Sequence, residues 1–205
     1  MRARRRVRKQ LAFGFATQRR KGRVGRPPKN GKAGVPHLRR PVLVRRFPVH
    51  VTMRMHKHVW NLRTRRCFGE IEKAFLKGGE RFGFRLIHYS VMGNHIHLLV
   101  EAGHNTSLAR GMKGLSVRIA RALNVVMQRR GSVIADRYHA RILRTPTEVK
   151  HVRHYLLTNA NHHYGLLGAD PYASQTPLTQ PQTWLLTRAV LVPTVRPLRP
   201  PPSRS

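Results

Sequence analysis

The apolar positions of the chain fall into two rhythms, one of period two and one of helical spacing. In residues 48–58, "PVHVTMRMHKH", Val49, Val51, Met53 and Met55 alternate with His50, Thr52, Arg54 and His56. That alternation predicts a strand with one wet face. "FRLIHYSVM" and "HIHLLVEA" predict two more strands joined at Gly93-Asn94, a hairpin-type turn pair. "VIADRYHARILR", after Gly131, predicts a last strand or short hairpin. Between them, "FGEIEKAFLKGGERFG" predicts a helix closing near Gly78 and Gly79. From Ser107 onward, Leu108, Met112, Leu115, Ile119, Ala122, Leu123 and Val126 recur at the spacing of a long amphipathic helix. "TPTEVKHVRHYLLTNANHH" opens with a capping box, Thr145 to Glu148, with Pro146 at the first helical position. Its apolar stripe is Val149, Val152 and Leu156. The order is β-α-β-β-α-β and then a helix, the split βαβ arrangement of ferredoxin-like folds. The predicted class is α+β: an antiparallel sheet, helices over one face, and the other face left for function.

Outside residues 47–165 the rhythm lapses. Residues 1–46 have frequent Gly and Pro with little apolar periodicity and read as a disordered basic arm. Within it, "GRPPK" resembles the Gly-Arg-Pro core of minor-groove AT-hooks and makes Arg26 a candidate DNA contact. Residues 166–205 read as a loose proline-rich tail, since 8 of the 14 prolines lie in residues 164–205. "TWLL" at 183–186 is the piece of that tail expected to dock as a short helix.

Charge narrows the partners. Lys and Arg number 41 against 7 Asp and Glu, a formal charge of +34 with a pI near 12.0. No acidic residue precedes Glu70, and 22 of the 41 basic residues lie in residues 1–69. Such a chain repels itself unless a polyanion neutralises it, so nucleic acid is the expected partner. No apolar run reaches the ~20 residues of a spanning helix, which sets a membrane aside. Cys67 is the only cysteine, so no intrachain disulfide forms and the Cys-based zinc patterns are excluded. A reducing, cytoplasmic setting fits.

The candidate chemistry sits in "VMGNHIHLLVE", residues 91–101. His95 and His97 project from one face of a strand, and Ile96, Leu98 and Val100 from the other. Two readings stay open: a half-buried strand whose solvent face carries histidine, or two neutral imidazoles converging on a metal ion. On the last helix Tyr155 and Asn159 are four apart, on one side at the edge of the apolar stripe. Laid against the sheet, that helix can bring a phenol and an amide oxygen to the histidine pair. Taken singly, Tyr155 reads as a core-edge aromatic and Asn159 as a helix-end residue. Arg110, Lys113 and Arg121 lie off the apolar stripe of the long helix, either available to phosphates or part of an ordinary solvated face.

"VMGNHIHLLVE" together with "DRYHARILRTPTEVKHVRHYLLTNANHH" resembles the single-tyrosine HUH transposases, in particular the REP-associated tyrosine transposase branch of bacterial genomes. The resemblance spans roughly residues 47–165. It implies that His95 and His97 hold a divalent cation, Mg²⁺ or Mn²⁺, and that Tyr155 is the nucleophile. Asn159 would complete the metal shell. It further implies a 5′-phosphotyrosine intermediate on single-stranded or hairpin DNA, a homodimer as one assembly, and a cytoplasmic, nucleoid-associated site of action. Two departures stand out. Gly93 occupies the position where the family usually has proline before Asn-His, and "NANHH" replaces the commoner Asn-Pro, so the helix is expected to run longer here. The rivals are a non-catalytic nucleic-acid binder of the same fold and a metal-dependent hydrolase that uses water. An RNA-binding sheet would carry clustered surface aromatics, and this one does not.

Overall fold

The alternation that starts at Val49 becomes strand β1 (Val49–Arg54), with Val49, Val51 and Met53 fully buried on one side. The structure, a computed structural model, describes residues 40–165 and 168–191. Chain order continues with α1 (Arg65–Gly78), β2 (Glu80–Arg81), β3 (Phe84–Val91), β4 (His95–Ala102) and α2 (Asn105–Val126). It ends with β5 (His139–Ile142), α3 (Pro146–Tyr164) and α4 (Trp184–Leu191). The five strands form one sheet in the order β2-β3-β4-β1-β5, every neighbouring pair antiparallel. That is the expected split βαβ order with one addition. Two-residue β2 folds onto β3 through Phe82-Gly83, both at positive φ (55° and 70°), as a tight hairpin turn with the right twist requires.

Both halves of the predicted capping box form. Thr145 accepts from the Glu148 amide at 3.2 Å, and the Glu148 carboxylate accepts from the Thr145 amide at 3.2 Å. From that start α3 runs to Tyr164, five residues past Asn159, and stops at Gly165 in the left-handed region. The missing proline after the tyrosine therefore lengthens the helix, as expected.

The two sides of the sheet are covered differently. On one, α1 and α2 seal an apolar layer in which Ile71, Phe75, Met112, Leu115 and Ile119 meet Val51, Ile96 and Leu98. Phe84 lies so tightly on α2 that a Cβ at Gly111 would sit 2.2 Å from its ring. The second side is not left bare of helices. Val149, Val152 and Leu156 of α3 and Leu185 and Leu186 of α4 close a smaller core over Ile87 and Leu99. Beside that core the same side carries His50, Thr52, His95 and His97.

Both expected flanks prove shorter than their sequence limits. Packing begins by Arg40, whose guanidinium stacks on Tyr138, and Leu43 is buried with its amide donating to Asn105 Oδ1 at 2.6 Å. The loose tail expected from residue 166 is not what residues 168–191 make. Strand β2 covers only the start of β3, so the backbone from Ile87 to Val91 would otherwise present an open edge. Residues 172–178 pair there: Val91 donates to Tyr172, Ser174 to Tyr89 and Leu178 to Ile87. Prolines are compatible with such an outermost segment, which needs amide donors on one side only. Asp170, fully buried, then pairs with Arg63 at 2.8 Å, and Glu101 accepts from the amides of Gln182 and Thr183. "TWLL" does dock, as the start of α4.

Candidate active site

Strands β1 and β4 pair in a register that puts Thr52 opposite His97, Arg54 opposite His95 and His50 opposite Leu99. All of these side chains share the face crossed by α3, because directly paired residues point the same way. The Tyr155 hydroxyl lies 3.4 Å from His97 Nε2, with the two rings nearly perpendicular and their centres 5.2 Å apart. The His95 and His97 rings are 4.8 Å apart at 87°. Asn159, one turn beyond Tyr155, is buried, and its side chain acts on the Tyr155 phenol. Four residues singled out from two distant stretches of sequence thus come to lie around one point on the sheet.

The other nitrogen of His97 is occupied. Nδ1 lies 3.1 Å from Thr52 Oγ1 and 3.3 Å from His50 Nε2. With its proton on Nδ1, His97 donates to one of these and leaves the Nε2 lone pair aimed at Tyr155. His95 Nδ1 is held in turn by Asn94 Oδ1 at 2.7 Å. His50 and Thr52 escaped the sequence reading as site residues. A signal was present, since both sit on the predicted wet face of β1, but only the β1–β4 register shows which strand that face meets.

Burial sets the charge state. It pushes the His97 pKa down to about 2, helped by the neighbouring His50, His95 and His163. Burial likewise lowers His50 to about 4, assisted by His139 and Arg141, and His95 to about 4, assisted by His163 and Arg54. All three imidazoles are neutral at physiological pH and offer lone pairs. Burial raises the Tyr155 phenol above its ordinary value, and the Asn159 side chain opposes the shift. Asn159 Nδ2 stands close enough to act on the phenol yet makes no well-aligned hydrogen bond. An imidazole as hard to protonate as His97 is a poor base for that phenol, and 3.4 Å is a long hydrogen bond. Its lone pair is better suited to a cation.

Among the described residues, no three His, Cys, Asp or Glu side chains are grouped to hold a metal. The ligand set on offer is two neutral imidazoles and the oxygen of the buried Asn159 amide, whose unsatisfied Nδ2–H suits an anion such as a phosphate oxygen. Such a mixed N/O set fits a hard or borderline divalent ion and leaves positions open.

Arg110, Lys113 and Arg121 are exposed on α2, which covers the opposite side of the sheet from Tyr155. The fold does not bring them to the histidines. Arg26 lies outside the described residues. No helix among the described residues is long and apolar enough to cross a membrane.

A family profile described as "Transposase IS200 like" matches residues 44–159, more than half of the chain. No curated protein matches the sequence. Among solved structures, a REP-associated tyrosine transposase bound to a REP hairpin superposes with a TM-score of 0.57 at 13% identity. That likeness covers 68% of this chain and 82% of the other. A protein of Deinococcus radiodurans R1, described as a candidate transposase, gives a TM-score of 0.41 at 16% identity, covering 60% and 94%.

Proposed function

The chain belongs to the IS200-like transposase family, and from that premise we propose that it cuts and rejoins single-stranded DNA with Tyr155 as nucleophile. The observation that carries the reading is the meeting of Tyr155, His97, His95 and Asn159 on one face of the sheet. In the cut, the Tyr155 oxygen bonds to phosphorus as the bond from phosphorus to the 3′ oxygen breaks. The phenol proton is lost, the leaving strand ends as a 3′-OH, and a 5′-phosphotyrosine remains. Attack of another 3′-OH on that linkage reverses the step, so the phosphodiester bond energy is conserved and rejoining needs no nucleotide cofactor.

His95, His97 and the Asn159 oxygen would hold a divalent cation, Mg²⁺ or Mn²⁺ by the hardness of the phosphate partner. When bound, that ion supplies charge neutralisation at a non-bridging phosphate oxygen. With the His97 proton on Nδ1, donated to Thr52 or His50, the Nε2 lone pair is bare. The apolar packing of Leu156, one residue after Tyr155, fixes the pitch of α3 against the sheet and with it the direction of the phenol. Arg110, Lys113 and Arg121, on the other side, are assigned to backbone phosphates of a hairpin or flanking strand away from the cut. Arg26 is assigned to non-specific contact from the N-terminal arm. The site of action is the DNA of a bacterial nucleoid.

Phenylalanine at position 155 keeps the ring and its packing but removes the attacking oxygen. Tyr155→Phe should fold and bind DNA as wild type does, and should lose cleavage by several orders of magnitude. Wild type incubated with single-stranded DNA labelled 3′ of the cut should give an SDS-stable adduct that peptide mapping places on Tyr155. An adduct on Tyr138 or Tyr164 would refute the assignment. So would full activity in the phenylalanine variant. Cleavage without an adduct would point to a water-using hydrolase, and binding without cleavage to a DNA-binding protein.

A further inference from the structure

The loop after β1 is basic and aromatic, and it is tied to the turn that precedes His95. Met55 donates to the Asn94 carbonyl and Leu62 to the Gly93 carbonyl, each at 2.9 Å, so both ends of the loop are pinned to the two residues before the first histidine. Asn61 Oδ1 lies 3.4 Å from where a Gly93 Cβ would be. Next to Asn61, Trp60 is 48% exposed, and the rings of His56 and His58 stack at 5.1 Å and 15°. Tyr164, 46% exposed, approaches the turn from the end of α3, its hydroxyl accepting from the Gly93 amide at 3.1 Å.

One exposed tryptophan needs no explanation on its own. Four exposed or partly exposed rings do, three on the loop pinned to this turn and one hydrogen-bonded to it. The charge is of one sign: no Asp or Glu lies between Val49 and Gly69, while Arg54 and Lys57 are exposed there. The platform is also rigid. The Trp60 amide donates to Met127 Sδ, and Arg63 is sandwiched between the Tyr164 and Tyr172 rings at 4.5 and 4.2 Å. Flat apolar faces among cations are what unpaired nucleotides use, since every base has a π-face and every phosphate a charge.

We propose that Trp60, with Tyr164 across the Gly93–Asn94 turn, forms a stacking ledge that holds an unpaired nucleobase of the DNA strand next to the phosphate presented to Tyr155. The ledge rests on the single-strand reading above and names how that strand is held. It also accounts for Gly93. A side chain there would meet the Tyr164 hydroxyl at 3.1 Å and Asn61 Oδ1 at 3.4 Å, crowding Tyr164 and the residue next to Trp60.

Trp60 and Trp184 are the only tryptophans, and Trp184 is exposed on α4, so Trp184→Phe in the full chain makes Trp60 the sole indole reporter. The test titrates this variant in EDTA with a thymidine homopolymer single strand and with a duplex, following binding separately by anisotropy of the labelled DNA. Trp60 emission should fall on saturation with the single strand and stay unchanged with the duplex. Trp60→Ala should weaken single-strand binding about tenfold and spare duplex binding, while Trp60→Phe recovers most of the loss. Unchanged emission at saturation would overturn the ledge, as would equal losses for the two DNA forms or absence of single-strand binding. Because EDTA removes any need for cleavage, a ledge that quenches in a protein forming no tyrosine adduct refutes the catalytic reading alone. An adduct without quenching refutes the ledge alone.

Discussion

The two faces of this sheet are made by the same strands and differ by one residue of register. On the face under α1 and α2, Val51, Ile96 and Leu98 belong to one large apolar cluster. On the face under α3 and α4, the residues in between are His50, Thr52, His97 and Glu101, set around a small core at Leu99. A buried polar group is costly unless partnered, so each polar residue on the second face has to be explained. Glu101 is answered by Arg85 and by the amides of Gln182 and Thr183. His88 is half answered: its Nδ1 meets Ser174, while its buried Nε2 has no partner among the described residues. At His97 the partners cover only Nδ1, and Nε2 looks across to a phenol at 3.4 Å beside a buried amide that is not fully satisfied. An unanswered atom alone, as at His88 Nε2, does not mark a site. Where several side chains converge with their hydrogen bonds incomplete, as around His97, the place is left for a substrate or an ion.

The sharpest way to break this contrast uses two adjacent residues that point to opposite faces. His97→Ala should leave the fold standing and lower single-turnover cleavage by on the order of a thousandfold or more. Leu98→Ala removes a fully buried side chain and should cost about 2–5 kcal/mol in urea unfolding, with cleavage per folded molecule nearly unchanged. If the two effects changed places, the division of labour between the faces would be wrong.

The dry face was legible from sequence because period-two and helical spacing report burial directly, and Val49, Val51 and Met53 in β1 sit where the alternation placed them. His95 and His97 were legible as a same-face pair, and Tyr155 and Asn159 as a pair one helical turn apart. Which strand lies beside His97 was not, since His50 and Thr52 reach it only through long-range register. The segment 168–191 departs from the expected loose tail for a related reason. Its prolines and short apolar pieces carry no periodicity, because it is held by backbone bonds to the β3 edge and by one buried ion pair.

That ion pair is the next test. Asp170 accepts from both Nη atoms of Arg63, at 2.9 and 2.8 Å, and Arg63 is itself almost buried between two tyrosine rings. Asp170→Ala leaves the guanidinium buried without its carboxylate and should destabilise the protein by about 3–5 kcal/mol. A loose tail would give no change in the denaturation midpoint. Proteolysis within residues 168–182 should become faster in the variant, since the strap then loses its ion-pair anchor.

The smallest effect distinguishes the two kinds of histidine on the second face by pH. His88 is fully buried on β3, and burial pushes its pKa down to about 4, with Arg153 adding to the shift and the Ser174 carbonyl opposing it. Above about pH 6.5 both the folded and unfolded chains hold this imidazole neutral, and it gives no pH dependence. As pH falls from 6.5 towards 4, the unfolded chain takes up a proton that the folded chain refuses. Stability is therefore lost on acidification, by at most ~1.4 kcal/mol per pH unit for this one group. His88→Gln keeps a donor within reach of Ser174 and cannot titrate, so it should flatten the slope of unfolding free energy against pH by about one proton's worth. Its cleavage at neutral pH should match wild type, because His88 answers to Ser174 and not to Tyr155. A flattened slope accompanied by lost cleavage would mean that the His88 and His97 clusters of this face are one coupled site. An unchanged slope would mean that His88 takes its proton in the folded protein as readily as in the unfolded chain.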